Sequence, residues 1–498
     1  MLRAVLLSSV LMSPLVVSSF LVTNSNAASP PNLLIIQTDE HNFRTLGCYR
    51  ETLTKDQALI WGEDAVVETP AIDSIAARGA ICTSFYATSP VCTPSRASFF
   101  SGRYPQNTGS FQNDRPLNND VVTFAEVLRR DGYATGYAGK WHLDGPGKPQ
   151  WAPERKFGFS DNRFMFNRGH WKKFELTDQG PRVGATSKNG QPNYDLAGAD
   201  EKTFSTDWLA DRAIDFIREH ADEPFCYHLS LPDPHGPNTV RSPYDDMYMN
   251  RVIRAPMTFS MSKDNPKWAS ASGKNSVGKF SAESMARYFG MVSCIDDNIG
   301  QILATLDELK LIDNTIIVMT SDHGDLCYEH GRLNKGNAYE GSAKIPMIIA
   351  APGLIPAGTR VDQALGTVDF APTILSLMGK SIPKEVEGRD ATELFKSNKT
   401  SKWDDITFLR AATNSRAWVA AVTDRYKLVV SVSDVPWLFD LESDPDELKN
   451  HCETPKNAAV VARLSKALLK YGVDSNDPQL SDGPLVDQLK SLSGTLAK

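Results

Sequence analysis

Short apolar runs alternate with longer amphipathic stretches along most of the chain, a pattern that predicts a parallel sheet with crossover helices. Residues 33–36, Leu-Leu-Ile-Ile, form a continuous apolar run suited to a strand buried on both faces, and the run ends at Thr38-Asp39-Glu40-His41. Thr69-Pro70 opens a helix that Gly79 stops, and residues 80–85 form the next strand, leading into Cys92. Thr123-Phe124-Ala125-Glu126 is a capping box for a helix closed by Gly132, after which residues 133–138 run as a strand into Gly139-Lys140-Trp141-His142. Leu209, Ala213, Phe216 and Ile217 mark one helix face, and the strand at residues 225–231 ends in Pro232-Asp233-Pro234-His235-Gly236-Pro237. Met291, Ile295, Ile299, Ile302, Leu306 and Leu309 keep helical spacing, and the strand at residues 315–319 ends at Ser321-Asp322-His323-Gly324. Each polar cluster thus follows a predicted strand. Ligands of open α/β sheets bind beyond the carboxyl ends of strands, so the pattern gathers these distant segments into one crevice.

Periodicity is lost over residues 143–206 and again over 238–281, where Gly, Pro, Asn and aromatic residues mark long loops that wall a site. Within the first, residues 162–173 mix cations with aromatic faces, a composition that suits an anionic sugar. After residue 383 the character changes to four short strands, near 406–411, 417–422, 426–432 and 437–441, followed by an amphipathic helix over 457–471. The expected fold class is therefore α/β. A large, mostly parallel sheet flanked by helices occupies residues 28–382, and a smaller antiparallel sheet with a covering helix occupies 383–498.

Composition narrows the function. At 41% hydrophobic and 23% charged residues the chain is an ordinary globular protein, and a net charge of -7 without a basic stripe excludes a nucleic-acid binder. Residues 1–27 carry an early Arg3, an apolar middle broken by Pro14 and a small-residue end at Ser25-Asn26-Ala27, which reads as a signal peptide. The protein is expected to be secreted or periplasmic, without stable membrane insertion. Seven cysteines remain after that segment, an odd number with no zinc spacing.

Cys92-Thr93-Pro94-Ser95-Arg96 reads as a helix start, with Thr93 as N-cap, Pro94 in the first turn and Gly102 as the stop. A helix mouth attracts anions and lowers the pKa of a thiol. By itself the segment fits a disulfide or a buried thiol equally well. With Ser101-Gly102-Arg103-Tyr104-Pro105 and Thr108-Gly109 downstream, it resembles the signature of the type I sulfatases, members of the alkaline phosphatase-like superfamily. The resemblance extends in order through Gly139-Lys140-Trp141-His142, Pro234-His235-Gly236-Pro237, Asp322-His323 and the block from Asn334-Lys335-Gly336 to Tyr339-Glu340-Gly341.

That family implies a mechanism. Cys92 is oxidised by a formylglycine-generating maturation enzyme to 3-oxoalanine, whose hydrate attacks sulfur. Asp39, Glu40, Asp322 and His323, with residue 92, hold a divalent metal, Ca²⁺ or alternatively Mg²⁺. Converging carboxylates need such a cation between them. Glu40 stands where many members carry Asp, Asn or Gln, and His323 where many carry Asn, although iduronate-2-sulfatase-like members share the Asp-His pair. Arg96, Lys140 and Lys335 are implied to hold the sulfate, His235 with Lys335 to protonate the leaving oxygen, and His142 to act in release of sulfate. The substrate expected is a sulfated carbohydrate. Two alternatives are a phosphonate monoester or phosphodiester hydrolase with the same site, and a polysaccharide-binding pseudo-sulfatase.

Overall fold

The apolar run at Leu33 lies in strand Asn32–Asp39, which is buried along its whole length at the centre of an eight-stranded sheet. In the computed structural model, which describes residues 30–270, 277–397 and 403–494, the strands follow a fixed order from edge to edge. They are Thr359–Val361, Ala80–Cys82, Met347–Ala350, Thr315–Ser321, Asn32–Asp39, Phe225–Pro234, Ala134–Lys140 and Asp161–Phe166. Only Met347–Ala350 runs antiparallel to the others. The expected signal peptide, residues 1–27, lies outside the described residues. Among the described residues no helix is long and apolar enough to cross a membrane.

Alternation along the central strand assigns its two faces. Leu34 and Ile36 pack with Leu209, Ala213, Phe216 and Ile217 of helix Ser205–Glu219 and with Ile295, Ile299, Ile302 and Leu306 of helix Ala282–Glu308. Leu33 and Ile35 face the other way, into a core with Phe99, Phe100, Phe124 and Leu128. Each such side chain contributes about 1.5–3 kcal/mol by leaving water. Phe99 stacks on Phe370 at 3.8 Å, and Phe100 stacks on Phe124 at 5.5 Å, so helix Cys92–Ser101 is held by aromatic contacts at its far end.

Several elements differ from expectation for identifiable reasons. The strand expected over 80–85 is split: Ala80–Cys82 joins the large sheet, and Phe85–Tyr86 pairs separately with Leu365–Gly366. The stretch 143–206 is not loop throughout. It contains edge strand Asp161–Phe166 and a hairpin of Phe174–Thr177 with Gly180–Val183. Arg163 on that edge strand is solvent-exposed, which erases the apolar run by which the inner strands were recognised. All seven cysteines are free thiols.

Strands Thr407–Arg410, Trp418–Val422, Tyr426–Ser431 and Trp437–Asp440 form an antiparallel meander in chain order. Its outer face packs Val419, Ala421, Leu428, Val430 and Leu438 against Leu464, Leu468 and Tyr471 of helix Ala458–Asp474 and against Leu485 and Leu489 of helix Pro484–Leu492. The inner face, including Trp418, Ala420, Val429 and Phe439, packs against Tyr86, Trp268, Leu326 and Tyr339 of the large unit. Ala391, Leu394 and Phe395 pack in the core of the large sheet, ahead of the meander.

A buried cation fastens the two sheets. Lys427 Nζ donates to Ala338 O at 2.7 Å, Glu340 Oε1 at 2.6 Å and Glu447 Oε1 at 2.8 Å, with the lysine side chain wholly shielded from solvent. Removing one partner of a buried ion cluster strands the opposite charge. Lys427→Met is expected to cost about 3–5 kcal/mol in urea unfolding. A loss below about 1 kcal/mol would mean that the carboxylates are satisfied without the lysine.

Candidate active site

Helix Cys92–Ser101 begins two residues earlier than its capping residues suggest. Val91 is the N-cap, with extended backbone and no side-chain cap, which makes Cys92 the first helical residue. The expected cap, Thr93, turns its hydroxyl away and donates to His142 O at 2.9 Å, while Asn113 Oδ1 accepts from Thr93 N at 3.1 Å. Gly102 closes the helix at φ 66, the left-handed conformation expected of a glycine stop. Cys92 and Arg96 are four residues apart and share the face that looks onto the strand ends.

Arg96 is fully buried, and each of its three nitrogens donates to protein. Nε reaches Asp322 Oδ2 at 2.9 Å and Nη2 reaches Asp39 Oδ2 at 3.3 Å. Nη1 meets Gln37 Oε1 at 3.2 Å, Lys140 O at 2.8 Å and Ser230 Oγ at 2.8 Å. The guanidinium therefore ties four adjacent strands together beneath Cys92. It was expected to hold the anion directly, but its donors are committed to this scaffold.

Four side chains converge on one point. Asp39, Cys92, Asp322 and His323 each offer one ligand atom, all within 4.8 Å of one another. Cys92 Sγ lies 3.1 Å from His323 Nε2 and 3.9 Å from Asp39 Oδ1, and His323 Nε2 lies 3.4 Å from Asp322 Oδ1. His323 Nδ1 donates to Gly324 O at 3.0 Å, which points Nε2 at the cluster. Burial opposes ionisation of Asp39, yet the Lys140 ammonium beside it holds the carboxyl well below its usual range. For Asp322, burial and the neighbouring Asp39 charge prevail and push its pKa up. His323 is raised to about 9 against the effect of burial, chiefly by Asp322 and Cys92.

Glu40 does not join that group. It is wholly buried at φ 65, and its backbone N–H donates to Asp322 Oδ1 at 3.2 Å. Its carboxylate faces His235 Nε2 at 2.9 Å and Lys335 Nζ at 3.2 Å. These are charge contacts, since neither oxygen receives an aligned hydrogen bond. Burial raises the Glu40 pKa, but His235 and Lys335 outweigh it and the net direction is down.

The expected cations line the same pocket. Lys140 Nζ pairs with Asp39 Oδ2, lies 3.5 Å from Cys92 Sγ and donates to His170 Nε2 at 2.8 Å. Lys335 Nζ lies 2.6 Å from His235 Nε2, whose other nitrogen donates to Gly236 O at 2.8 Å. His142, in the left-handed region at φ 61, lies against Cys92 and places Nε2 3.2 Å from Asp114 Oδ1. The Cys92 thiol is held well below its ordinary range despite burial, by Lys140, Lys335, His323 and His142.

Two site residues escaped the sequence pattern. His170 stacks on His235 with centroids 3.4 Å apart and an 8° interplanar angle, and burial together with the His235 and Lys140 charges keeps it neutral. Lys172, wholly buried, donates to Asp233 Oδ1 at 2.5 Å and to His235 O at 3.3 Å, which fixes the His235 loop from below. Both lie in the cation-rich stretch 162–173. Of that stretch, Asn162 to Phe166 is strand and Lys172 is an internal tie, so His170 is the residue brought into the Lys140 and His235 pocket. The signal that would have found it is the strand itself, whose carboxyl end adjoins that of Ala134–Lys140.

Comparison with known proteins identifies the family. Residues 31–380 match the family described as Sulfatase, and residues 328–474 match the C-terminal region of N-sulphoglucosamine sulphohydrolase. A choline-sulfatase of Rhizobium meliloti is 30% identical over 458 residues, covering 87% of this chain and 85% of the relative. An ulvan-active sulfatase of Formosa agariphila is 28% identical over 471 residues, covering 91% and 83%. Among solved structures, a protein in complex with its substrate D-glucosamine-2-N,6-O-disulfate shares the fold at TM-score 0.70 and 23% identity, covering 91% of this chain and 100% of that one. A phosphonate monoester hydrolase from Silicibacter pomeroyi shares it at TM-score 0.71 and 24% identity, covering 91% and 97%. The family match over residues 31–380, together with the choline-sulfatase relative, places this chain in the sulfatase family of sulfuric ester hydrolases.

Proposed function

We propose that this protein removes sulfate from a sulfated carbohydrate outside the cytoplasm, with residue 92 matured to formylglycine and a divalent metal, Ca²⁺ or alternatively Mg²⁺, beside it. The observation that carries the reading is the buried group Asp39, Cys92, Asp322 and His323, flanked by Lys140. The ulvan-active relative and the neighbour solved with a disulfated glucosamine favour a sugar substrate. The signal-like segment at residues 1–27 favours export.

The donor set fits a cation. Asp39 and Asp322 face each other in a wholly buried site, where two like charges oppose ionisation, and a cation between them relieves that cost. The spacings of 3.4 and 3.8 Å from His323 Nε2 to the two carboxylates suit neighbouring ligands at bond lengths of about 2.3–2.6 Å. Asp39, Asp322 and His323 would hold the ion with residue 92. Glu40, in this geometry, serves the Lys335 and His235 pair. When bound, the ion supplies positive charge that favours an oxygen nucleophile at residue 92, and formylglycine supplies that oxygen.

The remaining steps belong to the surrounding side chains. Lys140 and Lys335 provide charge for the sulfonyl oxygens, and Arg96 holds Asp39 and Asp322 in register. His235 in its protonated form keeps Nδ1–H on Gly236 O and gives the Nε2 proton, beside Lys335, to the departing alcohol oxygen. His142, on the Lys140 loop, acts in the second half by taking a proton from the oxygen on residue 92 as sulfate leaves.

Three outcomes follow. In active protein, peptide mass spectrometry should find residue 92 as the aldehyde, and Cys92→Ala should fold but lose nearly all activity. Full activity with an unmodified cysteine would overturn the nucleophile assignment. Chelation should abolish turnover of sulfate esters, Ca²⁺ or Mg²⁺ should restore it, and elemental analysis should find one divalent ion that Asp322→Asn fails to retain. Fully active protein without metal would refute this centre, and preferential turnover of an aryl phosphodiester over the matched aryl sulfate would move the reading to the phosphonate and phosphodiester hydrolases. Finally, His235→Ala should slow alkyl sulfates much more than aryl sulfates, whose leaving groups need no proton, whereas His142→Ala should slow both alike and give a burst of one alcohol per site. Equal sensitivity of the two variants to leaving-group acidity would contradict the division.

A further inference from the structure

One ring nitrogen of His142 has a carboxylate partner, and the other has no aligned one. Nε2 lies 3.2 Å from Asp114 Oδ1, whereas Nδ1 is buried without an aligned partner. A neutral imidazole carries one N–H, and a carboxylate can only accept. The proton therefore sits on Nε2, and Nδ1 presents a lone pair inside the pocket.

The surroundings fix that orientation from every side. His142 N donates to Asn167 O at 2.6 Å and its carbonyl accepts from Thr93 Oγ1, so the loop is tied both to the neighbouring strand end and to the nucleophile helix. Asp114 stands in the left-handed region at φ 67, next to Asn113, whose side chain caps Thr93 N. Arg168 Nη1 lies 3.1 Å from the same Asp114 oxygen that faces His142. One short segment, Asn113-Asp114, thus aligns both the helix that carries residue 92 and the histidine beside it.

We propose that Asp114, steadied by Arg168, is the positioning residue that fixes the tautomer of His142, so that Nδ1 takes the proton from the oxygen on residue 92. In that step the O–H bond breaks and an Nδ1–H bond forms. Nε2–H stays on Asp114, whose carboxylate faces the resulting imidazolium. Asp114 touches neither substrate nor reacting atoms. The inference rests on the assignment of His142 proposed above, and it commits to Nδ1 as the basic nitrogen.

The test has one readout that needs no turnover. In protein with unconverted Cys92 and no metal, ¹⁵N NMR of labelled histidine should show neutral His142 as the Nε2–H form. Asp114→Asn, which keeps an oxygen acceptor, should retain that form, and Asp114→Ala should lose it. In matured enzyme, Asp114→Ala should lower kcat about 10- to 100-fold with KM little changed. It should also show the burst expected of His142→Ala, and Asp114→Asn should recover most of the rate. The double variant His142→Ala/Asp114→Ala should be no slower than His142→Ala alone, since the carboxylate acts only through the ring. An Nδ1–H tautomer in the parent protein, or additive losses in the double variant, would overturn the proposal. If His142→Ala itself gave no burst, the fault would lie with the His142 assignment, while the NMR result would still decide the tautomer.

Discussion

A single buried guanidinium holds the site together. Arg96 contacts Gln37 and Asp39 from the central strand, Asp322 after one neighbour, Ser230 from the other and the carbonyl of Lys140 from the strand beyond. Burying a charge is costly unless it is paired and its hydrogen bonds are met, and here each nitrogen has a partner. The same arginine is four residues along the helix from Cys92, so sheet geometry is transmitted to Cys92 through one helical turn. Loss of Arg96 would leave Asp39 and Asp322 facing each other without the charge that holds them in register.

Pairing of opposite charges explains how so many ionisable side chains can be buried together. Asp39, Glu40 and Asp322 stand against Arg96, Lys140 and Lys335, three charges of each sign at close range. A divalent cation would then leave the site positive by two, which an anionic nucleophile and a sulfate monoester would neutralise. Substrate binding would thus restore a balance that the ion upsets. Histidine modulates the balance at the rim: His170 is kept neutral between Lys140 and His235, so it adds an acceptor and a stacking face without adding charge.

The parts that were legible in the sequence are those with local causes. Inner strands showed as apolar runs because both faces are buried, and Gly102 and Thr123 acted at helix ends as their chemistry demands. Asp39, Cys92, Lys140, His235, Asp322, His323 and Lys335 were marked by motif and strand-end position, and the fold brings them together. What stayed hidden depends on distant partners. Thr93 looked like a cap because only the position of His142 O, 49 residues away, draws its hydroxyl elsewhere. Arg96 looked like an anion ligand because four strands must be assembled before its donors are seen to be spent. Glu40 looked like a fourth metal ligand, yet its carboxylate turns toward Lys335, a residue on a different loop. Lys427 and its two glutamates gave no signal at all, since a lone lysine in a strand is ordinarily a solvated residue.

The site divides along the same line. Residues at strand ends bring charged and titratable side chains up to Cys92, and the fold that fixes them is shared with a protein solved with a disulfated glucosamine and with a phosphonate monoester hydrolase. The stretch 143–206 adds a second layer that reaches the pocket from the side: Arg168 through Asp114, His170 through Lys140 and His235, and Tyr194 with its ring 5.9 Å from His170. Lys148 lies 4.5 Å from the Tyr194 ring centroid and 5.4 Å from that of Trp171, so this wall is itself braced by cation–π contacts. This wall is coupled to the strand ends, because Lys172 fixes the His235 loop and His170 bonds Lys140, so a change in its shape reaches the residues around Cys92.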